Sequence, residues 1–158
     1  MDFQISALDI DEFSHLFGKD VETLADLGIR RISVDNSPGY PCRVSLQDAE
    51  VGENVLLMNY EHQPAQSPFR SSHAIYVREA ATQARPGKNE IPEMLRTRLL
   101  SVRAFDAAGM IIDADVIEGK HLESLIERML AIDSADYLHV HNARLGCYVA
   151  LVERGEPA

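Results

Sequence analysis

Prolines at positions 38, 41, 64 and 68 rule out any long helix across PGYPCRVSLQDAEVGENVLLMNYEHQPAQSPFRSSHAIYVRE, residues 38–79. Proline locks φ and lacks the N–H that a helix interior or a central strand needs. No single helix can therefore span the segment, and between Pro41 and Pro64 composition decides the local structure. VLLMNY (55–60) and AIYVRE (74–79) have the length and composition of strands, and the first is apolar enough to be covered on both faces. CRVSL (42–46) is a further strand candidate, and EHQPAQSPFRSSH (61–73) reads as an irregular loop. Nowhere else does the chain gather chemically capable side chains so densely. Loops held by a rigid scaffold are where binding and catalytic residues collect.

The flanking segments fix the fold class. FQISAL (3–8) alternates as a short strand; two short helices follow, one entered through Asp9 and one from Asp20 to the Gly28 cap. RRISVDN is a strand, TQARPGKNE a surface linker, and IPEMLRTR a short helix with Pro92 in its first turn. LLSVRAF and MIIDADVI form a hairpin through Gly109. In GKHLESLIERMLAI, Leu122, Leu125, Ile126, Met129 and Leu130 recur at helical spacing, the clearest helix signal in the chain. YLHVHNA and CYVALVER close the chain as a strand pair around Arg144, Leu145 and Gly146. The pattern predicts a single α+β domain over residues 1–158. Its sheet is mainly antiparallel, with short N-terminal helices and one longer C-terminal helix.

A net charge of -10 disfavours nucleic acid and anionic membrane surfaces as partners. No apolar run approaches the ~18 residues of a membrane span, and MDFQISALDIDEF has no signal-peptide character, so the expectation is a cytoplasmic protein with Cys42 and Cys147 reduced. Of 15 basic residues 12 are Arg, whose planar fork grips carboxylate or phosphate, so a small anionic ligand can still be held locally.

The candidate site residues follow from chemistry. Cys42 stands beside Arg43, a cation that would favour the thiolate a nucleophile needs. His62 and His73 bracket the loop and can move protons near neutral pH, with Tyr60 and Glu61 beside His62 to orient it. Arg43 and Arg70 would clamp an anion. His139 and His141 flank Val140, so strand periodicity puts both imidazoles on one face, with Leu138 and Val140 on the other. Such a pair is half a zinc or iron site, with His62 or His73 the natural third donor, yet no HExxH or CxxC spacing supports a metal. Asn142 and Arg144 follow at the strand end. No nucleotide-binding loop and no GxSxG elbow is present.

The motifs PGYPCRVSL, NYEHQ, SPFR and HVHNARLGCY resemble those of a bacterial family, domain of unknown function 1203. The likeness runs over nearly the whole chain and implies a stand-alone bacterial domain, with no reaction, substrate or cofactor attached. Its motifs contain Cys42, Arg43, Tyr60, His62, Arg70, His73, His139, His141, Asn142 and Cys147. Phe69 departs from the tyrosine expected there, which argues against an essential phenol.

The sequence thus points first to a domain that binds or transforms a small anionic metabolite. Cys42, His62 and His73 are its catalytic candidates; Arg43, Tyr60, Arg70, His139, His141 and Asn142 are its ligand-binding candidates. No residue is assigned outright to a metal or cofactor. The alternatives are a non-catalytic protein-interaction module and a metal-binding protein using His139 and His141.

Overall fold

The computed structural model describes residues 1–157. Two antiparallel sheets form the molecule. Strands β1 (Phe3–Ser6), β5 (Leu99–Phe105), β6 (Ile111–Glu118), β7 (Tyr137–Asn142) and β8 (Tyr148–Arg154) make a five-stranded sheet in the order β1-β8-β7-β5-β6. Strands β2 (Arg30–Ser33), β3 (Asn54–Gln63) and β4 (Ser71–Arg78) make a second, three-stranded sheet. The α+β class and antiparallel pairing expected from the sequence hold, and no helix among the described residues is long and apolar enough to cross a membrane.

One face of the larger sheet is a conventional apolar core. Leu100, Val102, Ala104, Leu138, Val140, Ala150 and Val152 alternate onto it and are buried against helix α3 (Leu122–Leu130), whose Leu122, Leu125, Ile126, Met129 and Leu130 supply the opposing layer. Each of the Leu, Ile, Val and Met side chains contributes roughly 1.5–3 kcal/mol when taken from water. Gly119, just before α3, lies against the backbone of Leu95 at the end of helix α2 (Glu93–Arg96); a Cβ there would fall 1.8 Å from the Leu95 carbonyl oxygen. That close approach requires glycine.

The smaller sheet buries Leu56, Met58, Ile75 and Val77 under Phe13, Leu16 and Leu24 of the N-terminal segment. That segment contains two short 3-10 turns, Ile10–Glu12 and Ser14–Leu16, and helix α1 (Val21–Asp26), where the sequence suggested two helices. Asp9 and Asp20 cap them as expected, accepting from Asp11 and Thr23. The first is closed by bonds from each N–H to the carbonyl three residues back, at Glu12, Phe13, Leu16 and Phe17, in runs too short to propagate as an α-helix.

Two expectations for the proline-rich segment are corrected. Cys42–Leu46 is a compact turn rather than a strand: Cys42 makes an isolated bridge to Tyr76, and Leu46 adopts φ 51°. The loop expected over 61–73 is shorter, because β3 continues through Gln63 and β4 starts at Ser71, with a register shift between Tyr60 and Gln63. His62 is therefore a strand residue at an irregular edge of the pairing. Gln63 donates from Nε2 to the Tyr137 hydroxyl at 2.8 Å, which ties this end of β3 to β7 and brings the two sheets together there.

Candidate metal centre

Strand β7 sets two imidazoles on the sheet face opposite the α3 core. His139 lies opposite Arg103 of β5, and His141 opposite Ser101 and, across the bulged β7–β8 pairing, Tyr148. Both imidazoles are buried, at 4% and 1% exposure. The end of β3 crosses this face and delivers His62, half-buried, whose ring stacks on Tyr148 at 5.2 Å between centroids. His62 and His141 stand 5.0 Å apart by centroid, and His62 and His139 6.0 Å. Phe105, Tyr137 and Tyr148 wall the group.

One ring nitrogen from each of His62, His139 and His141 converges so that all three atoms lie within 4.8 Å of one another. Three nitrogens on these rings, His62 Nδ1, His139 Nδ1 and His141 Nε2, are buried without a hydrogen-bond partner. Leaving a buried polar atom unpaired costs roughly 1–3 kcal/mol, so three in one cluster call for a group that satisfies them.

His141 is prepared for that role. Its Nδ1 lies 2.8 Å from the carbonyl oxygen of Gly146 in the β7–β8 turn. A carbonyl only accepts, so Nδ1 carries the proton and Nε2 keeps its lone pair. Metal-bound histidines are oriented by this kind of outer hydrogen bond. Gly146 adopts φ 81°, a conformation that favours glycine, and the turn it closes presents that carbonyl.

Burial dominates the electrostatics. It pushes His62 down to about 4 and His139 and His141 down to about 3, with the nearby Arg103 guanidinium adding to the effect on all three. The rings are therefore neutral at pH 7, the form that donates to a cation. Arg103, half-buried on the same face, is itself lowered by burial and forms no ion pair among the described residues. No carboxylate or thiolate belongs to the cluster. An all-imidazole set suits zinc, copper, iron or nickel and disfavours magnesium and calcium, which take oxygen ligands.

The other sequence candidates are dispersed. Cys42 is fully buried, its sulfur accepting from the backbone N–H groups of Ser45 and Arg78, so it forms wall rather than an accessible nucleophile. Cys147 is buried and unbridged as well. Tyr60 donates to the Glu12 carboxylate, and burial followed by that carboxylate raises its phenol to about 12. His73 stands opposite Tyr60 on β4, and its Nδ1 accepts from Ala74 N–H; it is not one of the three converging rings. Arg70 is exposed and pairs with Glu61 beside it. Arg43, by contrast, is 1% exposed and borders a cavity that Arg70 does not reach, so the two do not form the expected clamp. Asn142 borders that same cavity. Arg103, Tyr137 and Tyr148 were not singled out from the sequence; recognising Arg103 requires knowing that β5 pairs with β7.

The family model described as "Protein of unknown function (DUF1203)" matches residues 39–154. No curated protein and no solved structure matches the chain.

Proposed function

We propose, for a chain that belongs to the DUF1203 family of proteins of unknown function and inherits no activity from it, that the domain binds one divalent first-row transition-metal ion, zinc being the best fit, through His62, His139 and His141. The observation that carries this is the convergence of three neutral imidazoles with unpartnered buried nitrogens between the two sheets. In a tetrahedral zinc site with Zn–N of about 2.0–2.1 Å the nitrogens stand about 3.3 Å apart, so small side-chain rotations from the observed spacing suffice.

Three protein ligands leave a position for water or a small anion, the ligand count of catalytic rather than structural zinc centres. Bound zinc would polarise that water or anion. Arg103 gives the open position an anionic preference: its charge opposes a bare cation but stabilises a negative fourth ligand. His62, the least buried of the three, stands on the side from which ion and ligand would arrive.

The test is calorimetric titration of zinc into untagged protein stripped with a chelator and dialysed. The expected result is one ion per chain for the parent and for His73→Ala, with uptake lost in His139→Ala and His141→Ala. Absence of saturable uptake by the parent, or unchanged uptake in His141→Ala, overturns the reading.

A further inference from the structure

A cavity lies at the Asn142 end of β7. Its volume is about 540 Å³; it is bordered by Arg43, Arg98, Arg144, Asn142, Tyr76 and Cys147, among others, and no Asp or Glu lines it. In a chain of net charge -10, a hollow carrying three guanidiniums and no carboxylate is a pronounced local reversal.

The three arginines are not equivalent. Arg98 is neutralised by a two-pronged pair with Asp48 and donates to the Met94 carbonyl as well. Arg144 is exposed in the β7–β8 turn and makes no ion pair among the described residues. Arg43 is the unusual one: at 1% exposure it is the largest fully buried side chain, and it has no carboxylate partner. It is fixed by two carbonyls, donating from Nε to Tyr148 at 2.7 Å and from Nη1 to Pro41 at 2.5 Å. A guanidinium has five N–H donors, so three remain without a protein acceptor among the described residues. Taking such a charge from water unpaired costs several kcal/mol. Burial lowers Arg43 to about 10, which still leaves it cationic at neutral pH.

We infer that this cavity binds a small molecule through a doubly charged oxyanion, a phosphate monoester being the class that fits. Two uncompensated guanidiniums, Arg43 in the floor and Arg144 at the rim, match the charge of about -1.5 to -2 that a phosphate monoester carries at pH 7. Arg43 borders the cavity and is held by two backbone carbonyls, so little rotamer freedom is lost on binding. The volume is ample for a phosphate with a short carbon body. The cavity is not lined by His62, His139 or His141, so the inference stands apart from the metal reading.

The test is calorimetric and thermal-shift titration of metal-free protein with inorganic phosphate at constant ionic strength, with succinate as a carboxylate arm. Metal-free protein removes any phosphate bound through an ion. The expected result is saturable stabilisation by phosphate, weaker for succinate. Arg144→Ala, an exposed position that leaves the fold intact, should weaken phosphate roughly ten- to hundredfold, the loss of one charge-assisted hydrogen-bonding partner. Arg43→Lys, checked for native circular dichroism, should weaken it by a similar factor because the fork is lost while the charge is kept. Arg70→Ala should match the parent. No saturable effect of phosphate, or equal binding by Arg144→Ala, overturns the site. Succinate binding as tightly as phosphate overturns the assignment to phosphate.

Discussion

Side chains 138 and 140 of β7 enter the helix-covered core with no polar atom to satisfy, whereas 139 and 141 are almost as completely hidden and bring ring nitrogens that meet no partner. The same strand thus presents a face whose burial stabilises the fold and a face whose burial costs stability while its ring nitrogens lack partners. The first is complete in itself; Leu138 and Val140 need only the apolar layer of α3. The second is closed by the tip of β3, and its chemistry stays unfinished within the protein. This contrast is what motivates the metal proposal for 139 and 141: a polar pair facing a sheet interior costs roughly 1–3 kcal/mol for each orphaned atom.

Substitutions on the two faces should therefore have opposite signatures. Leu138→Ala is expected to lower stability by roughly 2–5 kcal/mol through loss of packing and the cavity left behind, with zinc still bound at one ion per chain. Chemical denaturation and calorimetry would show this, and loss of zinc with native stability would break the comparison. His141→Ala should do the reverse, weakening zinc by more than about a hundredfold, beyond the effect of disturbing an outer partner alone. His139→Leu sharpens the point. In metal-free protein it replaces an unpartnered buried imidazole by an apolar side chain of similar volume, so stability should rise by about 1 kcal/mol. A comparable fall in its denaturation midpoint would mean that the His139 ring is already satisfied. The smallest effect belongs to Arg103→Gln. Removing the cation should tighten zinc a few-fold and weaken azide at the bound ion by a similar factor, both differences shrinking at high salt. Titrations at low and high ionic strength separate that pattern from a packing effect.

Much of this arrangement was legible along the chain. Period two in YLHVHN separates the core face from the imidazole face without any structure, and the spacing in α3 predicts the layer that covers the first. The Gly109 hairpin was equally plain, since Asp106 accepts from the N–H groups of Ala108 and Met110 to hold the turn.

What could not be read were facts of crossing. Whether His62 or His73 joins the pair depends on how β3 passes over β7, and the contact that fixes it, Gln63 with Tyr137, spans the two sheets. The polar run after Tyr60 resembles a loop because the strand continues at the edge of a pairing, where no apolar alternation advertises it. CRVSL has strand composition, yet its residues are taken by bonds that local propensity does not encode: Leu8 N–H donates to the Arg43 carbonyl, and Arg43 N–H to Tyr76. The sequence pairs Arg43 with Arg70 as an anion clamp, but Arg70 is drawn away by Glu61.

The central claim is that three imidazoles, one from β3 and two from β7, hold one ion. X-ray absorption spectroscopy of the zinc-loaded parent reads the ligands directly. The expected spectrum has an inner shell of nitrogen and oxygen at about 2.0–2.1 Å with the outer-ring scattering of three imidazoles. A sulfur shell at about 2.3 Å, or fewer than three imidazoles, would place the metal elsewhere and contradict the account.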